Sequence, residues 1–353
     1  MSGTSMDGVD AALIETDGRE AVASIGFVSV PYPEGLRDRI RAALGATVDQ
    51  DGSIGRLGHD LTDYHLAAIM ALLAQTGYQA SDIDLIGFHG QTITHMPDRH
   101  FTWQIGDPDH LAKTLGIRVV FDFRQADVAA GGQGAPLLPI YHQALVGRAG
   151  LQRPVALLNV GGVGNITWIG PEAGDLLAFD TGPGNALMDD IMKRQTGERF
   201  DRGGAMALLG QVHDDRLATL MDHPYFKAPP PKSLDRNEFS SAVVADLPLA
   251  DALATLAAFT AQSVRQAFDV LAVKPHQVLV TGGGRHNAAI MRELRARLGV
   301  TVESVDRHAL NGDGLEAEGF AYMAVRSMLE LPISFPGTTG APRPMSGGKV
   351  YGG

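Results

Sequence analysis

With 353 residues, 44% of them hydrophobic and 20% charged, the chain has the composition of a folded globular protein and the length of two domains. Its 29 Lys and Arg against 40 Asp and Glu leave a formal charge of −11, which argues against a nucleic-acid partner. Cysteine is absent, which excludes disulfides, thiolate nucleophiles and sulfur-ligated metals. No run approaches the ~18 apolar residues of a membrane span, and no basic stretch leads into an apolar one at the N-terminus, so a cytoplasmic enzyme with no membrane partner is expected.

The octapeptide Met1 to Gly8 leads into the strand-like run Val9 to Glu15. Asp7-Gly8 is a hairpin-turn signal, and only two residues precede Gly3, so the first strand of that hairpin is short or begins upstream. Thr4, Ser5 and the amides around the two glycines suit a phosphate; a plain surface turn is the simpler reading of these residues alone. A second strand follows at Ala21 to Val30. Leu66, Ile69, Met70 and Leu73 then share one helical face and are expected in the core.

Asp84 to Phe88 is expected as a buried strand ending in His89-Gly90-Gln91-Thr92, a polar turn placed where α/β proteins contact ligands. Gln104 to Asp107 makes another polar turn and Ile117 to Phe121 another strand. That strand ends at Asp122-Phe123-Arg124, with Asp127 close behind and a Gly-rich break from Gly131. Asp122 and Arg124 read as a site edge, Asp127 equally as part of a salt-bridged surface turn. The first domain boundary is placed near Gly131.

Val155 to Val160 restarts the pattern. Gly161-Gly162-Val163-Gly164-Asn165 follows, and then the β-branched and aromatic run Ile166 to Ile169. A dinucleotide fingerprint would continue into a helix, so strand, Gly turn and strand are expected instead. Leu176 to Phe179 delivers Asp180 to the turn Thr181-Gly182-Pro183-Gly184-Asn185. Alone, Asp180 reads as a turn-closing Asp; its surroundings make it the candidate catalytic carboxylate. Asn185 is placed to cap a helix from Ala186 to Thr196. The Pro-rich stretch around Pro229-Pro230-Pro231-Lys232-Ser233 is expected as an ordered loop or lid. A long buried helix over Leu253 to Leu271 follows. The strand Val278 to Val280 ends in Gly282-Gly283-Gly284-Arg285-His286-Asn287, with Asn287 an N-cap and Gly299 past the helix end. Glu316 and Glu318 open a last helix, and the tail from Leu331 is expected as an irregular strap.

Two hairpin-like Gly turns, an Asp between them and a late triple glycine resemble the acetate kinase, sugar kinase, heat-shock chaperone and actin superfamily. The Gly3–Asp10 run resembles its first phosphate motif, Asn159 to Thr167 its second, and Gly282 to Asn287 its adenosine motif. Together with His89 to Thr92, Asp122 to Arg124, Asp180 to Asn185 and Pro229 to Ser233, they resemble the anhydro-N-acetylmuramic acid kinases over nearly the whole chain.

That resemblance implies an α/β fold of two actin-like, ribonuclease H-like domains with a central nucleotide and substrate cleft. Domain I is expected over 1–130 plus 331–353 and domain II over 131–330. ATP is the implied cosubstrate, bound by Gly3, Thr4, Ser5, Met6, Asp7, Gly8, Val9, Asp10, Gly161, Gly162, Gly164, Asn165, Gly282, Gly283, Gly284 and Asn287. Mg²⁺ is implied, held through water by Asp7. His89, Gln91, Thr92, Asp122, Arg124, Gly182, Gly184 and Asn185 are implied in binding a 1,6-anhydro sugar. Asp180 is the implied base for a water attacking C1, with Glu316 orienting that water, and O6 then receives the phosphoryl group. A homodimer is implied as well. Another sugar or carboxylate kinase of the superfamily, or a nucleotide-gated actin-like binding protein, is the alternative.

Overall fold

The bend at Asp7 is not the Asp-Gly hairpin turn expected: the positive φ of this stretch falls on Met6, at 55°, and Gly8 already belongs to a strand. That strand, β1 (Gly8–Thr16), pairs antiparallel with β2 (Val22–Pro31). On the other edge of β1, Ser2 bridges Val9, while Met1 and Asp10 exchange both backbone bonds at 2.8 and 2.9 Å. The structure is a computed structural model that describes residues 1–3, 6–172, 174–236 and 238–352.

α1 (Glu34–Ala43) and α2 (Ser53–Thr76) cover this hairpin. The buried stripe of α2 runs through Leu57, Leu61, His65, Ala68 and Leu72, at helical spacing. Met70 lies off that stripe and is 55% exposed, so the expectation that it sits in the core fails. β3 (Leu85–Gly87) is only half-buried, against the expectation of a buried strand.

The stretch read as two polar turns is a hairpin. β4 (Gln91–Met96) and β5 (Phe101–Ile105) pair antiparallel around Pro97 to Arg99. Gln91, Thr94, Thr102 and Gln104 are buried in it, and their side chains bond to one another or to nearby backbone, which lets a polar strand pair survive burial. α3 (Pro108–Leu115), β6 (Arg118–Phe121), α4 (Gln125–Ala129) and α5 (Pro139–Arg148) follow.

Asp127 is no surface ion pair. It is 2% exposed, and its carboxylate accepts the Gly134 N–H and the Thr339 hydroxyl, both at 2.6 Å. This clasp ties the Gly-rich break to the C-terminal tail.

β7 (Val155–Val160), β8 (Val163–Ile169) and β9 (Leu176–Pro183) form an antiparallel meander. α6 (Ala186–Thr196), α7 (Asp214–Met221) and α8 (Leu249–Ala267) come next. β10 (Gln277–Thr281), α9 (Ala288–Leu298) and β11 (Thr301–Ser304) complete the sheet, whose order is β11-β10-β7-β8-β9. β10 pairs parallel to β7 and to β11. An antiparallel meander extended by parallel strands beside its first member is the ribonuclease H-like sheet. α8 is apolar nearly all round because it packs centrally in this core.

α10 (Leu315–Met328) packs on β1 and β3, and Glu318 in it accepts the Tyr141 hydroxyl of α5 at 2.5 Å. α11 (Pro336–Thr339) and β12 (Lys349–Tyr351) follow; β12 pairs antiparallel with β6, so the tail is a sheet strand as well as a strap.

The chain separates into two compact units, Met1–Ala149 with Gly314–Gly353, and Gly150–Asp313. These bounds replace 1–130 plus 331–353 and 131–330. Asp127 holds the glycine break inside the first unit, and the α5–α10 contact keeps both helices there.

Candidate active site

In the second unit, Asp180 lies within β9, opposite Asn165 of β8, and not past a strand end. The strand continues to Pro183 because the loop beyond it is anchored backbone to backbone. Gly184 and Asn185 donate to the carbonyls of Gly162 and Gly161 at 3.0 and 2.7 Å. The Gly161-Gly162 turn is thereby latched to the start of α6. A Cβ on Gly184 would stand 2.1 Å from the Gly161 carbonyl oxygen, so this approach demands glycine. Asn185 occupies the N-cap position, but its side chain does not cap; its Nδ2 donates to the Val160 carbonyl at 3.3 Å.

The triple glycine packs on the same edge. Gly282 has φ +74°, and a Cβ there would lie 2.3 Å from Asn159 Oδ1. Gly284 abuts Val160. Gly283 is the open member, its nearest neighbour being Asn185 Nδ2 at 3.7 Å from a built Cβ. Asn287 caps α9 as expected, accepting the amides of Ala289 and Ile290 at 3.0 and 3.1 Å. Gly161, Gly162, Asn185 and Gly283 thus come together, with backbone accessible at Gly162 and Gly283.

The Pro-rich stretch folds onto Asp180. The Asp180 amide donates to the Lys232 carbonyl at 3.0 Å, and its carbonyl accepts the Tyr225 hydroxyl at 2.6 Å. Asp180 Oδ2 accepts the Leu234 amide at 2.8 Å, while among the described residues Oδ1 carries no hydrogen bond. Lys232 sits 4.5 Å above the Tyr225 ring and donates to that residue's carbonyl at 2.9 Å. Burial pushes the Asp180 carboxyl up to about 6, against the pull of the Leu234 amide. A carboxylate so placed is ionised at neutral pH and basic enough to take a proton.

In the first unit, Arg124 donates through Nε to His89 Nε2 at 3.0 Å and through NH1 to the Gly134 carbonyl at 2.7 Å. His89 Nε2 is therefore an acceptor, and Nδ1 carries the proton donated to the Gly90 carbonyl at 2.8 Å. Burial, with Arg124 second, holds His89 well below the ordinary histidine range, so it is neutral. Burial also pushes Arg124 down to about 10, with Glu316 and Asp127 opposing. Glu316 is exposed in surface area, yet the protein around it still raises its carboxyl, with Arg124 opposing and Asp10 adding. The exposure matters more for function, because it leaves the carboxylate reachable.

Gln91 accepts the Ser2 hydroxyl at 2.5 Å, and Thr92 accepts Gln104 Nε2 at 3.2 Å. Asp122 has φ +66° and pairs with Lys349 at 2.6 Å. In the first Gly motif, Gly3 accepts the Met6 amide at 3.1 Å, and Gly8 abuts the Val30 carbonyl. Val9 is core, and Asp7 is an exposed carboxylate 3.3 Å from Arg37. Thr4 and Ser5 lie outside the described residues.

The sequence profile described as anhydro-N-acetylmuramic acid kinase matches residues 1–353. A protein of that name from Rhizorhabdus wittichii is 51% identical over 99% of this chain and 97% of its own length. Those from Rhodospirillum rubrum and Zymomonas mobilis are 50% and 47% identical over 99% of this chain, and over 92% and 98% of their own lengths. The chain belongs to the anhydro-N-acetylmuramic acid kinase family. As a member of it, the protein is a phosphotransferase with an α/β fold.

For this anhydro-N-acetylmuramic acid kinase family member, sequence reading missed the groups that fix Asp180 from outside its own strand. Tyr225, Lys232 and the Leu234 amide were visible only as a Pro-rich loop, and nothing in the loop's composition says which strand it crosses. Gly134, whose carbonyl holds Arg124, reads in sequence only as part of the Gly-rich break.

Proposed function

We propose that the chain opens the 1,6-anhydro ring of anhydro-N-acetylmuramic acid with water and transfers the γ-phosphoryl group of ATP to O6. The products are N-acetylmuramic acid 6-phosphate and ADP, in the recycling of cell-wall peptidoglycan. The observation that carries this reading is Asp180, a carboxylate with one oxygen anchored, the other open, and a proton affinity raised to about 6.

Asp180 takes a proton from water as the water oxygen bonds to C1. The C1–O6 bond breaks, and O6 keeps the electron pair. O6 then bonds to the γ-phosphorus as the bond to ADP breaks, so the sugar hydroxyl needs no base of its own. The Gly161-Gly162 turn and the glycines at 282–284 supply backbone for the nucleotide. Arg124, oriented by neutral His89, supplies positive charge for the sugar's lactyl carboxylate, and Glu316 orients the water. Asp7 fits a Mg²⁺ bound through water, since that ion needs few protein carboxylates and Asp7 offers one that is 69% exposed. Such an ion neutralises charge on the phosphates.

The test is ADP release with 1,6-anhydro-N-acetylmuramic acid, with the product's O6 phosphate read by NMR; release with free sugars alone overturns the reading. Because Asp180 acts ionised, kcat/KM is expected to hold above pH ~7 and to fall about tenfold per unit well below pH 6. A profile flat from pH 7 to 5 excludes Asp180 as the base.

The family likeness supports a homodimer, and the exposed apolar stretch of Phe200, Leu208 and Leu209 offers a surface for it. Light scattering on the purified chain is expected to give twice the monomer mass. Among the described residues no helix is long and apolar enough to cross a membrane, and we place the enzyme in the cytoplasm.

A further inference from the structure

In the first unit, α2 and α3 carry a cluster of titratable side chains that the reaction does not use. His59 and Asp63 stand four residues apart on α2, on one helical face, and His110 comes from the first turn of α3. One ligand atom of each, a ring nitrogen or a carboxylate oxygen, lies within 4.8 Å of those of the other two. His110 Nε2 and Asp63 Oδ1 are 2.9 Å apart, and the two imidazole rings lie 4.2 Å apart between centroids, tilted by 38°. His59 and Asp63 are exposed and His110 is half-buried, so solvent reaches the cluster.

Two separate His–Asp pairs on a surface are the plain reading of such contacts, and two features favour a shared ligand instead. As separate pairs the rings compete, because two imidazolium charges at this spacing repel, whereas one dication serves both rings and the carboxylate. Asp107, moreover, holds both histidines. Its Oδ2 bonds His59 Nδ1 at 3.0 Å, which leaves Nε2 as that ring's ligand atom. Its Oδ1 accepts the His110 amide at 2.9 Å as the N-cap of α3. A carboxylate behind a ligating histidine fixes the ring and raises its basicity. The frame beneath is firm. The Asp107 amide donates to the buried Thr62 hydroxyl at 2.9 Å, and a Cβ on Gly58 would come 3.1 Å from the Gly106 nitrogen. α2 is thereby held in register against the residues that lead into α3.

We propose that His59, Asp63 and His110 bind one Zn²⁺ or a similar borderline divalent ion, with water in the fourth position, and that this ion clips α2 to α3. Zinc bonds of about 2.0–2.2 Å place tetrahedral ligands roughly 3.3 Å apart. Exposed side chains reach that spacing from 4.8 Å or less by small rotations. Two imidazoles and one carboxylate suit zinc, whereas magnesium and calcium take oxygen ligands, so this ion is chemically unlike the Mg²⁺ proposed for the phosphates. The proton that His110 shares with Asp63 leaves as the ion enters.

The 353-residue chain, free of any polyhistidine tag, is titrated calorimetrically with zinc chloride beside His59→Gln, His110→Gln and Asp107→Asn. The parent is expected to take up one equivalent with a Kd of about 10 µM or tighter. Asp107→Asn, which can still cap α3, is expected to weaken the site about tenfold, and each Gln variant at least ~30-fold. All three substitutions lie at the surface and are expected to leave Tm without added metal within about 2 °C of the parent's. Cobalt chloride is expected to give the parent the visible spectrum of a four-coordinate ion, bleached by zinc, and that readout decides even if a variant fails to fold. Absence of that spectrum overturns the proposal, as does zinc uptake indifferent to both Gln substitutions. Displacement of the zinc by about 5 mM Mg²⁺ would mark a plain carboxylate cluster and overturn it too.

Discussion

Asp180→Asn is expected to lower kcat for ADP release by about 10³-fold while leaving ATP affinity nearly unchanged. The amide keeps an oxygen to accept the Leu234 N–H, so the loop stays anchored, but it cannot take a proton from water. The same variant is expected to be more stable than the parent at pH 7.5. In the folded chain the carboxyl titrates near 6, against 3.8 for an unperturbed Asp. The fold therefore holds this proton more tightly than the unfolded chain does. Its stabilising contribution is complete below pH ~4 and is lost as pH rises through 6. At pH 7.5 the ionised group opposes folding, and Asn removes that opposition. A Tm higher than the parent's at pH 7.5, with the gain vanishing near pH 4, checks the electrostatic argument apart from the kinetics. Phosphorylation at the parent rate would remove Asp180 from the mechanism.

Gly184→Ala is expected to have the second largest effect, through geometry alone. The added methyl would be driven to 2.1 Å from the Gly161 carbonyl oxygen, a backbone atom, and the methyl's own position is fixed by the Gly184 backbone. No rotamer relieves that contact, so either the β7–β8 turn or the start of α6 must shift, and the bonds from Gly184 and Asn185 must lengthen. A cost of ~1–3 kcal/mol in stability is expected. A KM for ATP raised roughly tenfold should accompany it, because a displaced turn no longer presents its backbone to the nucleotide. Gly35→Ala is the control: Gly35 lies within α1 with nothing near its built Cβ, and it should leave KM unchanged while raising stability slightly. An unaltered KM in Gly184→Ala would detach the Gly161-Gly162 turn from nucleotide binding.

Local chemistry made the second unit readable. Strand, Gly-Gly turn and β-branched strand at 155–169 admit few alternatives, and the helix over Ala186–Thr196 and the Asn287 cap are specified by neighbours within a few residues. The first unit was harder for a physical reason. Gln91 to Gln104 looks like loop because its polar side chains satisfy each other inside a buried hairpin, and pairing of that kind leaves no hydrophobic period. Asp127 looked like a surface acid because its partner Thr339 stands 212 positions away in the chain. Asp180 stands out in sequence, by type and company, as a candidate. Its elevated proton affinity does not, since that depends on a loop whose Pro-rich composition says nothing about where it lands.

The contacts around Asp127 extend further than a clasp. Thr339 holds Asp127, Asp127 holds the Gly134 amide, the Gly134 carbonyl holds Arg124, and Arg124 fixes His89. The aim of a guanidinium read here as a carboxylate receptor is therefore set, three links away, by a hydroxyl in the C-terminal tail. A substitution in the C-terminal tail is expected to re-aim Arg124 without touching any group proposed to meet the ligand, and a mutagenesis library aimed at new acceptors would do well to include residues 335–341.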